Sequence, residues 1–269
     1  MPVELNHIHK GYDNFVLETK FEDQYASYLD LMQFCTLDNS LVGVPGDKKK
    51  IGVYTATDGT ETLKMGEGNT KNIEVDRVEK EYTIELLQNR FPFYDEEAMN
   101  DPKIIDKGLQ HTAVDMFNTA NGKAMAEFNK GTLEAEVTAF DFDAFVDGVA
   151  LFGAYEDMED APVFALIHKN DKKEIRKSLK DDLKYVEAYA RRGYIGTVAG
   201  VNLYVSNIAT DGSVILATKK GVTYFNKTGT QVEQERTSAN KRLTTVYTRK
   251  YGIFALTDDR EVVRLVKGA

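Results

Sequence analysis

Tryptophan is absent from this chain, and its 269 residues hold one cysteine, four histidines and five prolines. The lone Cys35 excludes an intramolecular disulfide, so bracing has to come from packing or from neighbouring chains, and the thiol reads as a small buried apolar group. No stretch approaches the roughly 18 consecutive apolar residues of a membrane span. The first residues, MPVELNHIHKGYDNF, lack the charged-then-apolar layout of a secretory signal. A cytoplasmic place of synthesis and no membrane partner are therefore expected. Positive charge is also short: 34 Lys and Arg against 43 Asp and Glu give a net charge of -9. That argues against a dedicated nucleic-acid binder, which needs a basic face to displace counterions from phosphate.

Constellations for catalysis or ligand binding are equally sparse. His7 and His9 form an H-x-H pair, but His111 and His168 fall on distant segments, so no metal site is expected. Gly193, Gly196 and Gly200 of GYIGTVAG precede a strand instead of opening a helix, the reverse of a dinucleotide fingerprint. Gly66 and Gly68 lack the lysine-hydroxyl pair of a phosphate loop. The acidic run Glu156, Asp157, Glu159 and Asp160 lacks the alternate ligands and central glycine of a calcium loop and reads as a solvated helix end. Asp141 and Asp143 read as helix caps. The basic residues from Lys172 to Arg192 are interrupted by Glu174, Asp181, Asp182 and Glu187, as on an exposed mixed-charge helix. No catalytic, cofactor-binding or metal-ligating residues are assigned, and no enzyme is expected.

What is present is scaffold: 42% hydrophobic residues, enough for a sizeable core. Spacing predicts a short helix over Phe21–Phe34. Before it, Pro2–Lys20 reads as an extended arm lying on another molecule or as a frayed terminus. From Lys48 to about Lys80, two β-rich runs flank a polar tip, a long hairpin with few large apolar side chains. Val78, Tyr82, Ile84 and Leu86 share one parity, which predicts a half-buried strand, with a bulge near Asp76 and Arg77 where Ile73 and Val75 change face. A two-stranded hairpin alone is marginal in water, so it has to rest on an adjacent subunit or on its own domain.

Asp101 and Pro102 then open the clearest helix. Ile105, Leu109, Met116, Ala120, Ala124 and Phe128 follow at helical steps, Gly131 ends it, and Gly122 is its point of weakness. Residues 135 to 222 read as an α/β block: helices over Phe142–Tyr155 and Asp171–Tyr189, strands over Val163–His168, Val201–Ser206 and Val214–Thr218, with Phe145, Val149 and Phe152 on one helix face. Strands from Val222 onward, turning at Asp258 and Asp259, are expected to return to the strand through Ile84.

The order IGTVAGVNLYVSN, GVTYF, VEQER, KYGIFAL and DDREVVRLV resembles the C-terminal part of tailed-bacteriophage major capsid proteins with the HK97-like fold. The resemblance implies an α+β chain: an N-terminal arm and short helix (1–47), an extended-loop hairpin (48–80), a peripheral domain (81–134 and 223–269) with a spine helix over about 101–130, and an axial domain (135–222). It implies pentamers and hexamers of one subunit closing an icosahedral virion shell around double-stranded DNA held by weak non-specific contact, assembled in the host cytoplasm. A portal and a separate scaffolding protein are the other expected partners. Contacts between subunits are expected at Lys48, Lys49 and Lys50 and at the tip residues Lys64, Met65, Gly66, Glu67, Gly68, Asn69, Thr70 and Lys71, with acidic stretches such as Asp95–Asp101 steering register. No covalent cross-link is expected. An encapsulin compartment shares the fold, and an unrelated cytoplasmic α/β enzyme is the alternative from another class.

Overall fold

The computed structural model describes residues 28–57, 59–152, 162–178, 194–237 and 242–268. His7, His9, most of the predicted N-terminal arm and helix, the acidic run at 156–160 and the second half of the basic helix lie outside them. Of the helix expected over Phe21–Phe34, the described part is one 3-10 turn, Leu31–Phe34.

Three β-structures organise the chain. Strand β1 (Thr36–Asp38) pairs in parallel with β10 (Val222–Thr237), which runs antiparallel to β11 (Leu243–Leu256), which in turn pairs antiparallel with β4 (Glu85–Tyr94). Strands β2 (Lys48–Ala56) and β3 (Val75–Thr83) pair, among the described residues, with each other alone. The third sheet has six strands in the order β5-β12-β9-β6-β8-β7, formed by β5 (Leu133–Val137), β6 (Phe164–Ile167), β7 (Tyr194–Val198), β8 (Val201–Val205), β9 (Ser213–Ala217) and β12 (Val262–Lys267). Its pairings mix parallel and antiparallel, as the alternating strands and helices predict.

A short helix α1 (Asp95–Asn100) leads into α2 (Lys103–Phe128). Asp101 Oδ1 accepts from the Lys103 N–H at 3.0 Å where Pro102 opens the helix. The 26 residues of α2 run unbroken past Gly122, about 39 Å at ~1.5 Å per residue. Val114, Asn121, Ala124, Met125 and Phe128 are buried, whereas Leu109 is 38% exposed. The apolar stripe therefore continues toward the N-terminus beyond the core that its C-terminal half covers.

Both β6 and β9 are buried at every position, which is why FALI and SVILA read as unbroken apolar runs. Alternation splits them between two cores. Phe164, Leu166, Ile215 and Ala217 join Phe34, Phe128, Tyr224 and Phe254 on one face; Phe34 and Phe164 lie 4.6 Å apart between ring centroids. Ala165, Ile167, Val214 and Leu216 pack on the other face under α3 (Phe142–Ala150) and α4 (Asp171–Ser178). Asp141 caps α3, its Oδ1 accepting from the Ala144 N–H at 3.0 Å, and Phe145, Val149 and Phe152 pack into that second core as their spacing predicts. A Cβ at Gly148 would stand 2.5 Å from Leu216 Cδ1, so only glycine lets α3 lie this close to the sheet. Within the glycine run GYIGTVAG, Tyr194–Val198 is β7, and Ala199 (φ 49°) and Gly200 (φ 79°) turn it back into β8.

Three strand predictions are corrected. The alternating run through Val78 and Leu86 is two strands, since β3 ends at Thr83 and β4 begins at Glu85 in a different sheet. The inward face changes parity at the break: β3 half-buries Lys80 and Tyr82, whereas β4 turns Leu87, Asn89, Phe91 and Phe93 inward and leaves Leu86, placed on the predicted face, 46% exposed. Asp76 and Arg77 oppose Thr55 and Tyr54 in a regular ladder, so the expected bulge is absent; Ile73 changes parity because it precedes the strand. In addition, β11 pairs with the strand following Ile84 as expected, but β12 does not. It leaves through the turn Asp259–Glu261 and inserts between β5 and β9.

Cys35 is 7% exposed, and burial, followed by the nearby Asp30 charge, pushes its thiol up to about 12, so it behaves as the packing residue expected. Glu261, 2% exposed at the entrance to β12, accepts from the Thr218 hydroxyl, and burial raises its carboxyl above the ordinary value of 4.5. Its contribution to stability is complete below that value and lost as pH rises through the raised folded value, because the folded state then buries an ionised carboxylate. Glu261→Gln keeps an acceptor for Thr218 without the charge. Thermal melts from acid to neutral pH should show a higher midpoint for the variant at neutral pH and a gap that closes toward acid; equal midpoints at both ends would contradict this.

Candidate functional site

The feature that sets this chain apart from an ordinary two-layer domain is the β2–β3 hairpin. Its ladder runs from Lys48↔Thr83 to Ala56↔Val75, and beyond it Thr57 N–H donates to Glu74 O at 2.9 Å before the chain opens into a loop. Every position of β3 is exposed or half-buried, on both faces. On the face predicted from parity Lys80 and Tyr82 are half-buried while Val78 is 58% exposed, so that face is covered near the base and open beyond it; Val75, on the opposite face, is 61% exposed.

The three base lysines divide between two tasks. Lys49 faces the body: its Nζ lies 5.1 Å from the Phe225 ring centroid and donates to Ser40 Oγ at 3.0 Å. With Tyr82, whose hydroxyl donates to Leu256 O at 2.9 Å, it ties the hairpin to the four-stranded sheet. Lys48 pairs with Glu81, and Lys50 lies 3.8 Å from both Glu79 and Glu81 across the ladder. The Lys48 hydrogen bond, then its charge, holds the Glu81 carboxyl below its ordinary value. At the tip, Met65 and Gly66 (φ 92°) turn the chain, closed by Glu67 N–H to Lys64 O at 3.1 Å and by Lys64 N–H to Glu67 Oε2 at 3.0 Å. Glu61 takes the Thr70 hydroxyl at 2.6 Å and the Thr70 N–H at 2.8 Å, which hold its carboxyl below the usual range. Gly68, Asn69 and Lys71 complete an exposed loop.

The acidic stretch Asp95–Asp101 has partners within its own chain. Asp95 meets Arg236 at 2.7 Å, Glu96 meets Arg242, and the buried Glu97 accepts from the Tyr94 N–H at 2.9 Å at the start of its own helix. These charges are largely spent on the fold. Apolar surface is a stronger signal: Leu37, Val42 and Val44 before the hairpin, Leu63, Met65, Ile73, Val75 and Val78 on it, and Val232 on β10 are all exposed. A second opening, a groove of about 510 Å³, lies between the N-terminal half of α2 and β10–β11, with Leu109, Met116, Val232 and Phe254 on its walls. Sequence reasoning missed this groove, although the α2 stripe running on through Leu109 was its visible trace.

No protein-family model matches the sequence, and no curated protein matches it. Solved structures do. The mature capsid of bacteriophage PhiM1 aligns over 97% of this chain and 92% of its own with a TM-score of 0.69 at 10% identity. The capsid of a native GTA particle covers 97% and 96% with a TM-score of 0.68 at 14% identity. The chain has the HK97-like capsid fold. The SrpI encapsulin of Synechococcus elongatus aligns less completely, over 88% and 86%, with a TM-score of 0.63 at 13% identity. The long helix expected over about 101–130 is α2, Lys103–Phe128.

The structure also gathers His168, Asp171 and Asp211, which the sequence reading had left apart. The i, i+3 spacing of His168 and Asp171 was visible; the approach of Asp211 from 40 residues away was not.

Proposed function

We propose that this chain is the major capsid protein of a tailed bacteriophage, self-assembling into pentamers and hexamers that close an icosahedral shell around double-stranded DNA. The observation that carries the reading is the β2–β3 hairpin, a two-stranded ribbon with exposed valines on a ladder that no further strand of the described chain extends. Such a ribbon is marginally stable alone and gains by lying on a neighbouring copy. On this reading the hairpin is the extended loop, the unit around the four-stranded sheet and α2 is the peripheral domain, and the six-stranded unit is the axial domain, which takes β12 (Val262–Lys267) out of the peripheral span expected over 223–269. The protein acts through contacts and not catalysis, in the virion shell, with a portal and a separate scaffolding protein as partners. Contacts at Lys64–Lys71 can each be weak, because closing a symmetric shell makes the later ones effectively intramolecular.

The HK97-like fold is shared with an encapsulin, so a cargo compartment is the second reading. Negative-stain microscopy of the expressed chain separates them: large angular shells support the phage reading, and small uniform shells that retain host protein support the compartment. A discrete small oligomer without particles would overturn both.

A further inference from the structure

We infer that the acidic outer face of α3 on one copy of this chain docks on the basic outer face of α4 on another. The inference rests on the proposed reading that copies of the chain assemble side by side, and it names side chains that join two of them. Both helices cover the same face of the six-stranded sheet, and the Ser178 hydroxyl at the end of α4 donates to Phe140 O, just before α3, at 2.7 Å.

The fold sorts charges that the sequence mixes. Asp171 is buried at the start of α4, and Glu174 turns aside to Lys267 at 2.7 Å. Lys172, Lys173, Arg176 and Lys177, at three- and four-residue steps, are left together on the outward arc. On α3, Phe145 and Gly148 face the sheet, while Asp143 and Asp147 stand exposed beside Phe142 and Val146, each 42% exposed. Among the described residues none of these charged side chains has an ion-pair partner, although Arg264 finds Glu134 and Lys267 finds Glu174, each at 2.7 Å.

Exposed charge needs no partner as a rule, but this charge is set against the electrostatics of its own helices. Lys172 and Lys173 occupy the first turn of α4, the positive end of its dipole, and Asp147 the last turn of α3, the negative end. Like charges also stand four residues apart, Asp143 with Asp147, Lys172 with Arg176 and Lys173 with Lys177, a spacing that repels on a helix. Both penalties fall on the single chain, and both are relieved when α3 of one copy lies against α4 of another. Charge complementarity selects a second copy as the partner: the cations of α4 match the carboxylates of α3, while the net charge of -9 over the whole chain repels a nucleic acid. Phe142 and Val146 give the contact an apolar centre with charge at its rim. Each copy carries both halves of the joint, so one contact repeated from copy to copy can close a symmetric assembly.

The test uses the full-length chain in sedimentation velocity, with electron microscopy of any particles. One variant reverses the basic face (Lys172→Glu, Lys173→Glu, Arg176→Glu and Lys177→Glu) and another the acidic face (Asp143→Lys and Asp147→Lys). Each alone should self-associate at least ~100-fold more weakly than the parent, because like charges then face each other. An equimolar mixture of the two should associate again, a recovery that a contact within one chain would not produce. Should the fourfold reversal fail to fold by circular dichroism, Lys173→Glu with Lys177→Glu takes its place. Parent-like association of either variant, or no recovery in the mixture, would overturn the inference. So would a basic-face variant that assembles normally yet loses binding to duplex DNA in a mobility-shift assay, since that result gives the face to nucleic acid. A parent that stops at a small oligomer would sink the capsid reading while the same variants still judge this contact; a monomeric parent would overturn both.

Discussion

A chain lacking Lys64–Lys71, with Leu63 joined to Asn72 through two glycines, is expected to fold normally and form no shells. The tip can be removed without touching either core, since its described hydrogen bonds stay within the hairpin: Glu61 to Thr70, and Lys64 to Glu67. Met65 in that segment is fully exposed, so the single chain loses no buried area with it. The melting midpoint should stay close to the parent value. On the proposed capsid reading assembly is different, because every copy would lose the same contact. At ~1.4 kcal/mol for each factor of ten, even a weak contact multiplied around a closed surface moves the equilibrium by many orders of magnitude. Sedimentation and electron microscopy should find soluble subunits and essentially no particles. Particles of normal yield and size from this variant would remove the tip from any role in assembly.

The second large effect is on the fold itself. Asn121→Ala is expected to destabilise the chain by about 2–4 kcal/mol, a large part of a typical domain's stability. Asn121 is 2% exposed in the middle of α2, with its Oδ1 accepting the Leu31 N–H at 3.0 Å and its Nδ2 donating to Leu29 O at 3.0 Å. This one amide fastens the segment before β1 to the helix. Alanine removes both bonds inside a core where water cannot replace them, and opens a space beside Leu31. The neighbouring Gly122→Ala makes a sharp control. A Cβ there meets nothing within 4 Å, and helix propensity should add up to ~1 kcal/mol. Urea unfolding of the two variants should therefore move in opposite directions. An Asn121→Ala midpoint within ~0.5 kcal/mol of the parent would show that the clamp contributes nothing.

The contrast between these residues explains what the sequence conveys. Local patterns were legible: the cap at Asp141, the α2 stripe, the fully apolar β6 and β9, and the two β-rich runs flanking a polar tip. Each depends on neighbours within one or two turns of chain. Asn121 was not legible, because a polar residue inside a helical stripe reads as solvent-facing until the segment that it clamps, 90 residues earlier, is in place. The break at Ile84 went unread although the apolar positions change parity there, from Tyr82 and Ile84 to Leu87, Phe91 and Phe93. The insertion of β12 left no signal, since any apolar strand can extend either sheet and only tertiary packing chooses. At the candidate site, the polar tip and base lysines were readable, but the inward turn of Lys49 and the intramolecular pairing of Lys48, Lys50, Asp95 and Glu96 were not. Apolar exposure, the stronger mark of a surface that takes a neighbour, emerges only when side chains are placed.

The position of β12 bears on when the six-stranded sheet can close. Its pairing with β5 on one side and β9 on the other means that the six-stranded sheet stays in two pieces until residue 262 has been synthesised. A chain cut short before residue 262 lacks the strand that joins β5 to β9.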